Sequence, residues 1–153
     1  MKVNVYSTSL LKHINTELIH KRSPNIKLDT KTCYTLREQD AFKKDQGKAL
    51  ETVVAADVKK TNVDLVILES GVNEVTKISR RGLPLKAMQV MLRNRTAAFV
   101  EFAEQIINTT HCKNVALIKM MLRFDNNVSS ENARHFLQQS HQVWNEAMQE
   151  IIS

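Results

Sequence analysis

Apolar positions along the chain follow two periods. Residues 3–6 (VNVY), 63–69 (VDLVILE) and 115–121 (VALIKMM) are short β-branched or aliphatic runs, and the last two show little polar alternation. That is the pattern of strands covered on both faces. Residues 31–36 (KTCYTL) predict a weaker fourth strand. Between and after these runs, apolar residues recur at three- and four-residue steps, the period of a helix with one buried stripe. Four such helices are predicted. The first covers 10–21 (Leu10, Leu11, Ile14, Leu18), and the second covers 47–60 (Leu50, Val53, Val54, Val58). The third covers 86–108 (Met88, Met91, Leu92, Phe99, Phe102, Ala103, Ile106), and the last covers 130–152 (Ala133, Phe136, Leu137, Ser140, Trp144, Ala147, Ile151). Pro84 suits the approach to the third helix, and Ser129 or Ser130 is available to cap the last.

Strand and helix thus alternate along the chain, and such alternation needs crossover connections. Crossovers give parallel strands with helices on both faces. The expected architecture is an α/β fold, a three-layer α/β/α sandwich built on a parallel sheet of about four strands. Residues 1–153 read as one domain, without repeats or low-complexity tracts; the long polar connections are 37–46 and 77–85. In an open parallel sheet, ligands bind beyond the carboxyl ends of the strands. The segments that matter chemically are therefore 7–9 (STS), 37–46, 70–76 (SGVNEVT) and 122–129 (LRFDNNVS).

Composition narrows the class. With 42% hydrophobic and 25% charged residues, the chain matches an ordinary globular protein. Cys33 and Cys112 form no Cys-x-x-Cys and stand far apart, which suggests neither a disulfide framework nor a zinc site and points to a reducing interior, cytoplasmic or nuclear. No apolar run approaches the roughly 20 residues of a membrane span, and no secretory leader is legible, so no membrane partner is expected. The formal charge of +6 is concentrated: residues 77–95 hold Lys77, Arg80, Arg81, Lys86, Arg93 and Arg95 and no acid. Such a block attracts phosphate or an acidic partner, although it contains no aromatic residue to stack on bases and equally describes a solvated loop and helix start.

The candidate chemistry begins at V5-Y-S-T-S-L-L-K-H13. Ser9 follows the first strand and opens the next helix, where a backbone N–H and the helix dipole stabilise an oxyanion. The alternative is that Ser7 or Thr8 is only a helix cap. After the strand at 63–69 comes Ser70-Gly71-Val72-Asn73-Glu74, which carries a side-chain amide able to donate to the oxyanion that Ser9 would create. Its alternative is a glycine turn with a capping Asn.

Together these blocks resemble the SGNH (GDSL-type) hydrolase family, whose first block reads Gly-Asp-Ser-Leu and third reads Gly-x-Asn-Asp; here they read S7-T8-S9-L10 and G71-V72-N73-E74. The first strand, the Leu-Leu-Lys-His continuation, VDLVILESGVNEV and Leu122-Arg-Phe-Asp125 look like the esterase-like domains of retrotransposon-derived proteins. The resemblance implies a serine ester hydrolase acting on a small acyl ester, with Ser9 as nucleophile and with the Ser9 N–H and Asn73 binding the oxyanion. Ser7, Thr8 and Glu74 depart from the pattern, and Gly47 is the only glycine near the family's second block. The family also supplies its base from a C-terminal Asp-x-x-His. This sequence has none, since Asp125 is followed by Asn126, Asn127 and Val128, and the final strand and Asp-His loop are expected to be missing from it.

None of the histidines is assigned as base: His13 and His20 belong to the first helix, His111 precedes the strand at 115–121, and His135 and His141 fall on the last helix, where Asn132-x-x-His135 is a chance match to a changed Asp-x-x-His. No histidine pair has metal-binding spacing. A flavin phosphate on Ser7-Thr8-Ser9 is disfavoured by the lack of glycine and by Leu10-Leu11, so no cofactor is expected. The reading that competes with esterase is a catalytically idle binding or assembly domain of a retrotransposon-derived protein, associated with nucleic acid through residues 77–95.

Overall fold

The computed structural model describes residues 1–8, 11, 13–32, 34–35, 48–49, 54, 56–59, 62–121, 128 and 130–152. Its main sheet has four parallel strands, β1 (Lys2–Tyr6), β2 (Lys27–Lys31), β5 (Leu65–Leu68) and β6 (Val115–Leu117), in the order β2-β1-β5-β6. A second, two-stranded parallel pair joins β3 (Tyr34–Thr35) to β4 (Lys48–Ala49). The helices are α1 (Thr16–Arg22), α2 (Val72–Ser79), α3 (Leu85–Thr109) and α4 (Glu131–Ile152), with a further helical stretch at 56–59. Among the described residues, no helix is long and apolar enough to cross a membrane.

Residue contacts divide the chain into two compact units, 1–70 with 102–118 and 71–101 with 119–153. In the first, β1 is a central strand paired on both sides, and its side chains alternate between two covered faces. Val3 and Val5 point one way, in register with Leu65 and Ile67 of β5, and share an apolar cavity with Ile19 of α1. Asn4 and Tyr6 point the other way, toward the helical stretch at 56–59, whose Asp57 meets the Tyr6 hydroxyl at 3.3 Å. Helical segments thus lie on both faces of the sheet, the layered parallel α/β arrangement expected from strand–helix alternation.

The differences from the sequence reading have physical causes. The run expected as a strand at 31–36 holds the end of β2 at Lys31 and β3 at Tyr34–Thr35, whereas the edge strand of the main sheet, KLDTK at 27–31, was not expected; an edge strand has one unpaired side and keeps exposed charges such as Lys27 and Asp29, which erase the apolar signal. The first helix is short, Thr16–Arg22, and is capped by Asn15, whose Oδ1 accepts from the Leu18 N–H at 2.9 Å. Leu18 is exposed, while Leu11, Ile14 and Ile19 line the apolar cavity. Segment 70–76, read as a loop, is largely helix α2. Lys48–Ala49 form a strand where a helix was expected; Val54 and Val58 of that predicted stripe are buried, and Leu50 and Val53 lie outside the described residues.

The second unit is held by apolar packing between helices. In α4, Ala133, Phe136, Leu137, Ser140, Trp144 and Ala147 are buried as the periodicity predicts, while Ile151 is exposed and Met148 is buried. Ser130 caps this helix through its Oγ and carbonyl oxygen. The Phe99 and Trp144 rings lie 5.5 Å apart, tilted by 36°, a favourable aromatic geometry. The Asn145 carboxamide brackets Met120, accepting from its N–H at 2.8 Å and donating to its carbonyl at 3.1 Å.

Gly71, which precedes α2, is required by this packing. Its φ is +120°, and an added Cβ would meet Met120 Cε and sit 3.1 Å from Trp144 Cε2. The backbone conformation strains any side chain, and a Cβ there would displace the flexible end of Met120 and press on the Trp144 ring. Gly71→Ala is expected to cost about 2–4 kcal/mol, combining strain at a glycine-only conformation with overpacking against a tryptophan. Chemical denaturation of the two proteins measures this; a midpoint shift below about 0.5 kcal/mol would contradict it.

Candidate functional site

The site lies at the carboxyl ends of β1 and β5, which share one level because the strands are parallel and in register through Tyr6↔Leu68. The ladder continues past the last strand residues. The Glu69 N–H donates to the Tyr6 carbonyl at 2.9 Å, and the Ser7 N–H donates to the Lys31 carbonyl at 3.0 Å. At Thr8 the N–H meets a side chain instead. Glu69 Oε2 accepts from the Thr8 N–H at 2.9 Å and from the Thr8 hydroxyl at 2.7 Å. Ser7 Oγ donates to the Thr8 carbonyl at 2.8 Å.

These hydroxyls are core groups of the sheet edge. Ser7, Thr8 and Glu69 are all buried, Glu69 being 3% exposed. Neither Ser7 nor Thr8 caps α1, which has its own cap at Asn15. Burial pushes the Glu69 carboxyl above its usual range, and the two Thr8 donors pull partly against that shift. Position 8 thus carries a threonine whose hydroxyl binds an acid at the end of the neighbouring strand. Sequence reasoning missed Glu69. The available signal was a carboxylate ending an apolar strand run at the ligand-binding edge, VDLVILE.

Below this edge, β1 carries a second polar group. Asn4 Nδ2 donates to the Tyr6 hydroxyl at 3.0 Å, the hydroxyl donates to Asp57, and Asp57 pairs with Lys31. Burial is the main cause that raises the Tyr6 pKa, the Asn4 donor opposes it and the Asp57 charge adds to it, so the phenol stays protonated. On the opposite face, the cavity of about 370 Å³ bordered by Val3, Val5, Leu65 and Ile67 has a wholly apolar lining and supplies no reacting group.

Ser9 lies outside the described residues, as do Gly47, Leu122 and Asp125. Asn73, in the second unit, is the second residue of α2, behind the positive-φ Gly71. Its side chain is half-buried, and among the described residues it makes no hydrogen bond, so both carboxamide N–H donors are uncommitted. The Gly71 turn and the Asn73 amide therefore separate their roles: the glycine supplies the backbone conformation, and the asparagine does not cap.

The basic residues also belong to the second unit, mostly on helix rather than in a loop. Lys77 lies in α2, Arg80 and Arg81 follow it, and Lys86, Arg93 and Arg95 lie in α3. Arg80, Arg81, Lys86 and Arg93 are exposed, whereas Lys77 and Arg95 are half-buried. Of the histidines, His13, His20, His111 and His135 are exposed, and His141 is half-buried with Nδ1 lacking a hydrogen bond. Among the described residues, no three His, Cys, Asp or Glu side chains cluster as a metal site would need.

Comparison with solved structures places the fold. A variant of an acetyl xylan esterase from Geobacillus stearothermophilus aligns with a TM-score of 0.56, covering 99% of this chain and 73% of its own, at 15% identity. An extracellular lipase from Streptomyces rimosus aligns with a TM-score of 0.56 over 98% of this chain and 75% of its own, at 14% identity. At these identities the likeness is one of fold: a parallel α/β sheet of the kind these hydrolases carry. No protein-family model and no curated protein matches the chain.

The raised Glu69 pKa gives a pH prediction. A carboxyl whose folded pKa lies above its unfolded value, about 4.3, is at no disadvantage in acid. It then costs stability as pH rises from that value through the raised one. Glu69→Gln removes this titration, so the stability of the variant relative to wild type should increase with pH above about 4.3 and then level off. Thermal melts of both proteins across acidic to neutral pH test this; a difference that is constant or shrinks with pH would refute it.

Proposed function

We propose that the chain is an SGNH-type serine ester hydrolase, with Ser9 as nucleophile and Asn73 as an oxyanion donor. The observation that carries this reading is the uncommitted carboxamide of Asn73 in the first turn of the helix following β5, in a chain whose fold is shared with an esterase and a lipase. The parallel, in-register pairing of β1 with β5 supports it, because the carboxyl ends of both strands lie at the same edge of the sheet. In the reaction, the Ser9 hydroxyl adds to an ester carbonyl carbon as its proton departs to a base. The developing oxyanion accepts from the Ser9 N–H and the Asn73 carboxamide. Expulsion of the alcohol leaves an acyl-serine, which water then cleaves to the free acid.

A fluorophosphonate probe is expected to modify Ser9 in the folded protein, and Ser9→Ala to abolish both labelling and turnover of a short-chain aryl ester. Asn73→Ala is expected to lower kcat about 10²- to 10³-fold with a much smaller change in KM, because the donor acts on charge that appears only in the transition state. A folded protein that resists the probe would exclude this function.

A second reading is supported by the exposure of Arg80, Arg81, Lys86 and Arg93 in a stretch without acids. In it, the chain is a catalytically idle relative within a retrotransposon-derived protein and binds nucleic acid through this surface. Lys86 and Arg93 stand seven residues apart on α3 and so share one side of that helix. RNA or single-stranded DNA affinity should then fall steeply with added salt, and the logarithmic slope should flatten when Arg80, Arg81 and Lys86 become Ala. Salt-independent binding, or none, would remove this reading.

A further inference from the structure

The tie between Thr8 and Glu69 uses a side chain that a purely architectural link would not require. Where the strand ladder ends, the Thr8 N–H needs an acceptor, and a neutral amide or hydroxyl would accept at a lower desolvation cost than a carboxylate. Glu69 instead puts an ionisable group into the buried sheet edge, where its charge is penalised. Ionisable groups buried at the carboxyl ends of parallel strands are concentrated at working sites. The geometry is also directional. Both Thr8 donors converge on one oxygen, Oε2, the N–H from the backbone and the Oγ1–H from the side chain. The two bonds together fix the backbone and the side-chain rotamer of residue 8, from which the chain passes directly to Ser9.

We propose that Glu69 is a positioning residue for the Ser9 nucleophile, acting through Thr8, an inference that rests on the ester-hydrolase reading above. The ionised carboxylate accepts two charge-assisted hydrogen bonds and holds residue 8 rigidly; the protonated acid holds it less well. The effect lies in how often the nucleophile is presented in a reactive orientation, where small misplacements are costly. It therefore acts on the rate of reaction at Ser9 rather than on substrate affinity, and it fades when Glu69 gains a proton.

The experiment compares wild type, Glu69→Gln and Thr8→Val by the rate at which a fluorophosphonate labels Ser9, followed by mass spectrometry from about pH 4.5 to about pH 8. Glu69→Gln preserves shape and one acceptor oxygen. Its labelling rate at neutral pH is expected to fall about 10- to 100-fold without a loss of thermal stability, and kcat for an aryl ester to fall alike with KM nearly unchanged. The wild-type-to-Gln rate ratio should shrink as pH falls, since the protonated acid resembles the amide; a merely structural role would not produce this convergence. Thr8→Val, which leaves Glu69 in place and removes only the hydroxyl, should lower the rate less, in the same direction. Equal labelling of Ser9 in wild type and both variants would overturn the positioning role while leaving the hydrolase reading intact. Absence of Ser9 labelling in folded wild type would overturn both.

Discussion

The parallel pairing of β1 with β5 is the constraint on which the remaining features of the sheet edge depend. Because the two strands run in the same direction with Tyr6 opposite Leu68, their carboxyl ends stop at the same level, and the residues after them meet without any further device. Antiparallel pairing would send these ends to opposite rims. The ladder bond from the Glu69 N–H to the Tyr6 carbonyl holds this level one residue further, and the Thr8–Glu69 hydrogen bonds extend it beyond the last backbone pair. In this way the ordinary requirement that buried N–H groups be satisfied fixes the start of the first post-strand segment.

The polar groups on β1 follow from the same central position. A strand covered on both faces has little tolerance for side chains that need water, yet Asn4 and Tyr6 are both buried. They are accommodated by a short chain of hydrogen bonds that reaches Asp57 and, through it, Lys31 on the edge strand. The Asn4 Oδ1 is buried without a partner, so this face of the sheet is less fully satisfied than the Thr8–Glu69 edge above it. Glu69 is the sharper case, since its burial opposes its own charge.

The fold was largely legible where one period dominated. The apolar runs at 3–6, 63–69 and 115–121 match β1 to within a residue and contain β5 and β6, and the stripes at 86–108 and 130–152 match α3 and α4 to within a residue or two. Legibility failed where burial was partial or local chemistry ruled. The edge strand β2 reads as polar because one of its sides is unpaired. Helix α2 is only eight residues long and follows a glycine, so its start looked like a turn. Arg95 sits half-buried within α3, an unbroken helix. Asn73 was recognisable from its spacing after Gly71, whereas Glu69 was not, because nothing in a linear pattern distinguishes a strand-end carboxylate that faces solvent from one that reaches back across a neighbouring strand.

By itself, then, the order of residues determined the α/β class, the parallel character of the sheet and the two strand ends at which chemistry was to be sought. It did so because hydrophobic period and strand–helix alternation are local properties that survive without neighbours. Only the tertiary structure decided which hydroxyls are capping groups and which are buried, and which acid serves as their acceptor. Those outcomes turn on the desolvation of groups brought together from residues 8 and 69, and that free energy does not exist until the strands have paired.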